Sequence, residues 1–268
     1  MNAQEQERVN AQEQERVNGQ GEGRVVLVTG GSRGIGKAAV RALHRDGFHV
    51  VLHHRASAAV AQELATGLGT DRVHVLAADL AEPGEPERLW VEALAWRGRV
   101  DVLVNNAGIY LANPLDDAAA WDAGWSANLA VNLLAPATLC RLAVLHWRGL
   151  EDGSGGIVVN VTSRAAHRGD DGDHLAYGAA KGGLQSLTKG IARAFGRDRV
   201  LAYDVAPGWV LTDMMTDGPE VAALAASMPL GEITPPEDVA EVIAFLASGR
   251  SRHTSGATID VTGADYVR

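Results

Sequence analysis

A chain of 268 residues with 46% hydrophobic and 21% charged side chains has enough apolar material to bury a full core, so one folded domain is the expectation. Its formal charge of −9 and pI near 5.4 argue against nucleic acid or an anionic membrane as a partner. No apolar run reads as long enough to span a bilayer, the first 22 residues lack the apolar centre of a secretory signal, and the single cysteine, Cys140, cannot form an internal disulfide; a reducing cytoplasm is the expected compartment.

Residues 2–9 and 10–17 are the same octapeptide, Asn-Ala-Gln-Glu-Gln-Glu-Arg-Val, and such a polar segment has too little apolar surface to dock. Residues 1–22 therefore read as a disordered tail and 23–268 as the domain. Val25 to Val28 form an unbroken apolar run, the pattern of a strand buried on both faces of a parallel sheet. The chain then turns through Gly30, Gly31, Gly34 and Gly36 into a helix with Ile35, Ala38, Ala39, Ala42 and Leu43 on one face. Backbone free of side chains at a helix N-terminus is a phosphate site.

His49–His54 reads as the second strand, Ser57–Leu68 as a helix and Arg72–Ala77 as the third strand. Pro83, Gly84 and Pro86 open a helix to about Trp96, and Val100–Val104 is the fourth strand. A long helical region runs from Ala118 to about His146 with an interruption expected near Pro136. Gly156–Val161, the helix Leu175–Phe195 and the strand Arg199–Val205 follow. From Pro207 to Pro235 no strong period appears apart from a short helix over Glu220–Met228, the pattern of a functional lid. In it Met214, Met215, Leu224, Met228 and Leu230 either wall a substrate or pack onto the protein. Pro236–Ala247 is a helix and Thr258–Val261 the closing strand. This alternation predicts an α/β fold: a single-domain, doubly wound parallel sheet, the Rossmann arrangement.

Four features stand at the carboxyl ends of these strands, where such sheets place ligands: Asp79, Asn105-Asn106-Ala107-Gly108, Ser163 followed by Tyr177-x-x-x-Lys181, and Pro207-Gly208. Tyr177 and Lys181, four apart on a helix, share a face, and an ammonium there lowers the phenol from its ordinary pKa near 10 toward a value useful at neutral pH. Ser163 supplies a hydroxyl for a substrate oxygen. The nine histidines show no His-Glu-x-x-His spacing, so no metal is expected, and His167 and His174 read as solvated loop residues near the mouth. The stretch His53-His54-Arg55-Ala56-Ser57 lacks the carboxylate that accepts the ribose hydroxyls of NAD. Arg55, with Arg33 from the glycine loop, suits a 2′-phosphate instead, which favours NADP(H) over NAD(H).

The ordered set Thr29-Gly-Gly-Ser-Arg-Gly-Ile-Gly36, Asn105-Asn-Ala-Gly108, Asn132 in Ala-Val-Asn-Leu, Ser163, Tyr177-Gly-Ala-Ala-Lys181 and Pro207-Gly-Trp-Val-Leu-Thr212 resembles the short-chain dehydrogenase/reductase family, over about residues 24–263 and near its 3-oxoacyl-carrier-protein reductase and glucose dehydrogenase branch. The resemblance implies hydride transfer between a nicotinamide and a ketone, 3-oxoacyl group or secondary alcohol. In it Tyr177 is the acid/base, Ser163 holds the oxygen, Lys181 binds the nicotinamide ribose, and Asn132 holds a water linking Lys181 to solvent. It implies cofactor contacts at Gly30, Ser32, Arg33, Gly34, Ile35, Gly36 and Arg55. Further contacts are implied at Asp79 (adenine), Leu80, Asn105 (adenosine ribose), Asn106, Ala107 and Gly108, and also at Tyr177, Lys181, Pro207, Gly208, Val210 and Thr212 (carboxamide). A homodimer or homotetramer through Ala118–His146 and Leu175–Phe195, acting on a small carbonyl or alcohol, is the implied assembly. The alternatives are a dinucleotide-binding regulator without turnover and an epimerase or dehydratase. Two departures stand out: Val261-Thr262-Gly263-Ala264 replaces the common Asp-Gly-Gly, and the Ser163–Tyr177 gap is one residue longer than usual, which keeps Thr162 or a bulge in view.

Overall fold

Val25–Val28 form strand β1, and all four residues are buried, as an unbroken apolar run requires in a sheet covered on both faces. In this computed structural model, which describes residues 21–212 and 219–268, six further strands join it: β2 His49–His54, β3 Val73–Ala77, β4 Val102–Asn105, β5 Gly156–Val161, β6 Val200–Pro207 and β7 Thr258–Val261. They pair in the order β3-β2-β1-β4-β5-β6-β7, every pair parallel. The doubly wound single domain expected from the sequence is what forms. The repeat-bearing tail up to residue 20, and Met214 and Met215, lie outside the described residues.

Alternation along each strand divides the core into two layers. Val26, Val28, Val50, Leu52, Val159 and Val205 pack toward helices α1 (Gly34–Arg45) and α2 (Ala58–Leu68) and toward the late helix Pro236–Ala247. Val25, Leu27, Val51, Leu103 and Val158 face α3 (Glu85–Arg97) and the helical run that follows β4. Each fully buried aliphatic side chain contributes roughly 1.5–3 kcal/mol.

The run after β4 is α4 (Ala118–Leu129), a π turn over Ala130–Leu134 and α5 (Ala135–Arg148). The expected interruption near Pro136 is this widened turn. Proline has no N–H to return to the Asn132 carbonyl four residues earlier, so the α-helical ladder has no donor there. By length and composition Ala118–Arg148 is apolar enough to cross a membrane, with a mean hydropathy of 1.5 over its best window, which corrects the sequence expectation. In the fold it buries Leu139, Cys140, Ala143 and Trp147 against the sheet, and Trp147 Nε1 donates to the Val100 carbonyl at 2.7 Å.

A single turn, α6 (Ala165–Arg168), went unread in the sequence; α7 (Leu175–Phe195) has the expected bounds, and α8 (Pro219–Ser227) and α9 (Pro236–Ala247) complete the chain. Between β6 and α9, Val210 and Thr234 form a parallel bridge. Met228 packs inward there, while Leu230 is exposed. At the C-terminus Ala264 takes φ +65, left-handed backbone where the usual pattern would offer glycine, at a cost of roughly 1–2 kcal/mol.

Candidate active site

The strand order reverses between β1 and β4, the point at which such sheets place their ligand crevice, and the loops leaving these two strands meet there. Gly30 and Gly34 have φ of +65 and +50, which suits residues without Cβ. A Cβ on Gly36 would collide with the Gly30 carbonyl and with Asn106, so that position must be glycine for the loop to close over the start of α1. The hydroxyl of Thr29 accepts from the backbone N–H groups of Asn106 and Ala107, both at 3.0 Å, and Asn106 Nδ2 donates to the Thr29 and Gly30 carbonyls at 2.9 and 3.1 Å. Ser32 is buried and Ile35 packs partly on the core. The result is a cradle of bare backbone at a helix N-terminus, which fits a dinucleotide pyrophosphate.

The loop is held from beneath by His53, a residue that the sequence marks only as part of a stretch without a carboxylate. Its Nδ1 accepts from Gly30 N at 3.1 Å and its Nε2 lies 3.0 Å from the Ala78 carbonyl, so the ring is neutral with the proton on Nε2. Burial depresses its pKa to about 4. Gly31 N donates to the His53 carbonyl at 2.8 Å, and from this corner Arg33 and Arg55, each two residues further on, are both exposed. Asp79 Oδ1 accepts from Ala81 N at 3.1 Å and so caps the turn after β3, while Leu80 is buried in the core. Thr212 lies against Gly34, closing the loop from the other side, with Gly208 N bonded to the Val261 carbonyl at 3.0 Å and Pro207 buried.

Asn105 does not reach this crevice. It is the last residue of β4, its side chain is 2% exposed, and it donates to Asn160 Oδ1 at 2.8 Å and Cys140 Sγ at 3.3 Å beneath the sheet. Its assignment to the adenosine ribose is corrected: the side chain alternates to the face of Leu103, away from the ligand side.

The turn Asn106–Gly108 links the cradle to a second group of residues. A Cβ on Gly30 would touch Ala107 at 3.0 Å, and one on Gly108 would touch Asn132 Oδ1 at 3.0 Å and Lys181 Nζ at 3.4 Å. Lys181, buried on α7, donates to the Val161 carbonyl at 2.9 Å, and its Nζ lies 5.8 Å from the ring centre of Tyr177. Ser163 stands half-buried beyond β5 with Oγ accepting from Ala165 N at 3.1 Å. Thr162 is not a substitute for it, because its hydroxyl donates to the Val205 carbonyl at 3.2 Å; the additional residue between Ser163 and Tyr177 falls in the connection that includes α6 and Gly169, φ +79. The amide of Asn132 is fully engaged, accepting from Ile109 N at 3.0 Å and donating to the Ile109 carbonyl at 2.9 Å and to Asn128 Oδ1 at 3.1 Å.

The family pattern described as Enoyl-(Acyl carrier protein) reductase matches residues 30–263. L-xylulose reductase of Bos taurus is 34% identical over 90% of this chain and 96% of its own length, and the 3-oxoacyl-[acyl-carrier-protein] reductase FabG of Pseudomonas aeruginosa is 34% identical over 92% and 98%. The chain belongs to the short-chain dehydrogenase/reductase family. Among solved members, a blue fluorescent protein from a metagenomic library in complex with NADPH superposes with a TM-score of 0.82 at 34% identity, over 92% of this chain and 99% of that one. A Serratia marcescens short-chain dehydrogenase/reductase does so at 0.82 and 32%, over 91% and 98%.

Within this short-chain dehydrogenase/reductase fold the electrostatics of the Tyr177–Lys181 pair differ from the sequence expectation. Burial pushes the Tyr177 phenol up to about 12, with a hydrogen bond to Ser163 acting the other way, and burial brings the Lys181 ammonium down to about 8 against the opposing charge of Asp204. Desolvation outweighs their mutual effect because the ammonium is directed to the Val161 carbonyl and stands off the phenol. Three further residues shape the site without a local sequence signal. Asn113, fully buried, accepts from Ala176 N at 3.1 Å and donates its own N–H to the Asp173 carbonyl at 2.6 Å, fixing the start of α7. Asn128 Nδ2 bonds the Leu111 and Gly124 carbonyls, both at 2.8 Å, and so orients Asn132. Tyr110 stacks on His174 at 3.8 Å and meets Tyr177 edge-on at 4.8 Å. Neither histidine near the mouth sits in a solvated loop: His174 is stacked, and His167 lies 2.6 Å from Gln185 Nε2.

Proposed function

We propose that the protein is an NADP(H)-dependent reductase of ketones that also oxidises secondary alcohols, with Tyr177 as its acid/base. The observation that carries this reading is the junction at Asn106–Gly108, which meets the glycine cradle on one side and leaves no room for a side chain beside Lys181 on the other, so that a bound dinucleotide would lie next to the phenol. The nicotinamide supplies or accepts the hydride. Gly30 to Gly36 and the N-terminus of α1 would hold the pyrophosphate, Arg33 and Arg55 the ribose phosphate, and Thr212 the carboxamide. Ser163 holds the substrate oxygen beside Tyr177. A phenol with a pKa of about 12 is protonated throughout the neutral range, so Tyr177 donates its proton to the carbonyl oxygen as reduction proceeds. Lys181 acts as an ammonium beneath it, and the Asn132 carbonyl, which Pro136 cannot satisfy, is the group left to hold a water.

The names of the relatives, reductases and a D-threitol dehydrogenase from Mycolicibacterium smegmatis at 34% identity over 92% of this chain, run in the same direction. Tyr110, Trp209 and Leu211 are exposed apolar surface on the loops around the phenol, which favours a substrate with an apolar or aromatic arm. We also propose a homodimer or homotetramer through α4–α5 and α7, where Leu134 and Leu145 stand exposed, working in a reducing cytoplasm where Cys140 stays a thiol.

The test is a screen of ketones with NADPH and NADH, and of secondary alcohols with the oxidised cofactors, read by nicotinamide absorbance. Turnover of at least one ketone with a preference for NADPH is expected. NADPH binding without any turnover would make the protein a binding module, and equal kcat/KM with NADH would overturn the cofactor assignment.

A further inference from the structure

Strand β6 reads Val-Leu-Ala-Tyr-Asp-Val-Ala-Pro, and its one charge, Asp204, is 1% exposed. A buried carboxylate in an apolar strand is costly unless something in the fold uses it. Register places it in a polar row across four strands: Asn105 pairs with Asn160, Asn160 with Asp204 and Asp204 with Thr258. Thr258 Oγ1 donates to Asp204 Oδ2 at 3.0 Å, and Gln185 Nε2 donates to Thr258 Oγ1 at 3.1 Å. Asp204 Oδ1 has no hydrogen-bond partner among the described residues.

Gln185 and Lys181 are one turn apart on α7, the helix that packs on this face of β6, so the lysine shares the face that Gln185 turns toward the carboxylate. The other charged groups on this side are accounted for. His167 of α6 is held by Gln185, Asp260 of β7 is paired with Arg268 at 2.8 Å, Lys189 and Arg268 act on His167, and β5 offers only the neutral Asn160 and Thr162. Among the described residues the opposite charges that bear on this pair are each other's: Asp204 opposes the lowering of Lys181, and Lys181 opposes the raising of Asp204.

We propose that Asp204 is a positioning residue for the Tyr177–Lys181 pair, its buried carboxylate holding Lys181 in the charged form through the field rather than by contact. This rests on the assignment of Tyr177 and Lys181 made above. Burial alone draws the lysine down, and Asp204 opposes that; burial raises Asp204 itself to about 6, so both groups are charged at neutral pH.

The experiment is the pH dependence of kcat/KM and of NADPH affinity across the neutral and alkaline range. Wild type should lose activity as pH rises through about 8, where Lys181 gives up its proton. Asp204→Asn, of the same shape without the charge, moves that limb down by about one pH unit or more. Asp204→Ala, the second variant, moves it in the same direction. Thr258→Val removes a hydrogen bond to Asp204 but not its charge, so the limb stays. Lys181→Arg, which does not titrate in this range, removes the limb from both readouts. A limb unmoved in folded Asp204→Asn while Lys181→Arg abolishes it would overturn this inference alone. A limb that survives Lys181→Arg belongs to another group and would overturn the Lys181 assignment together with this one. Loss of the fold in both Asp204 variants would mark the residue as structural and overturn the proposal.

Discussion

Acidification perturbs the glycine cradle through His53. The ring is 2% exposed and satisfied only as neutral imidazole, accepting from Gly30 N and donating to the Ala78 carbonyl. Its folded-state pKa of about 4 lies below the ordinary 6.5, so the unfolded chain binds the proton first. Stability is therefore present above 6.5 and is lost as pH falls toward 4. The gap amounts to about 3 kcal/mol. Asp204 has the opposite sign: its pKa of about 6 lies above the ordinary 3.8, so the folded protein binds that proton first and gains a similar amount as pH falls through 6. The lowered pKa values of His44, His49, His74 and His146 act in the same direction as that of His53. His53→Asn isolates the first term, since its amide oxygen can replace Nδ1 and does not titrate. At neutral pH the variant should be weaker by about 1–3 kcal/mol, because the Ala78 carbonyl loses its donor. Urea unfolding of both proteins in steps from about pH 7 to 4 should show this deficit shrinking by about 3 kcal/mol. Stability curves that stay parallel would refute the claim that a neutral His53 holds the loop.

Gly36→Ala should weaken NADPH binding at least tenfold and destabilise the fold by about 1–3 kcal/mol, since its Cβ meets the Gly30 carbonyl; titration calorimetry and melting check both effects. Arg33→Ala and Arg55→Ala should each cut kcat/KM with NADPH by about tenfold or more and leave NADH little changed, as expected for loss of a charge-assisted bond to phosphate. Equal losses with both cofactors would remove the arginines from that role. Deletion of Asn2 to Asn18 should leave melting temperature and activity almost unchanged, and a large drop in either would show that the repeat docks.

The sheet was legible because parallel strands covered on both faces are unbroken apolar runs, and Val25–Val28 and Gly156–Val161 have the expected bounds. The position of the helix interruption was legible from Pro136, but its π character was not, because it depends on how the Asn132 amide is held by Ile109 and Asn128. Tyr177 and Lys181 came from spacing and Ser163 from its place after β5, and the structure sets Lys181 Nζ 5.8 Å from the Tyr177 ring. Asn105 was misplaced although the means to place it was present: alternation from Leu103 sends it under the sheet. Asn113 and Tyr110 carried no signal, since polar pairing across irregular loops has no period, and the pKa of Tyr177 depends on burial that no local pattern encodes.

Whether Tyr177 delivers the proton in an NADPH-dependent reduction is decided by Tyr177→Phe. The variant keeps the ring against Tyr110 and loses only the hydroxyl. With the best ketone from the screen, kcat should fall by about 10²–10⁴-fold while NADPH affinity and melting temperature stay close to wild type. Retention of more than about a tenth of wild-type turnover would contradict it.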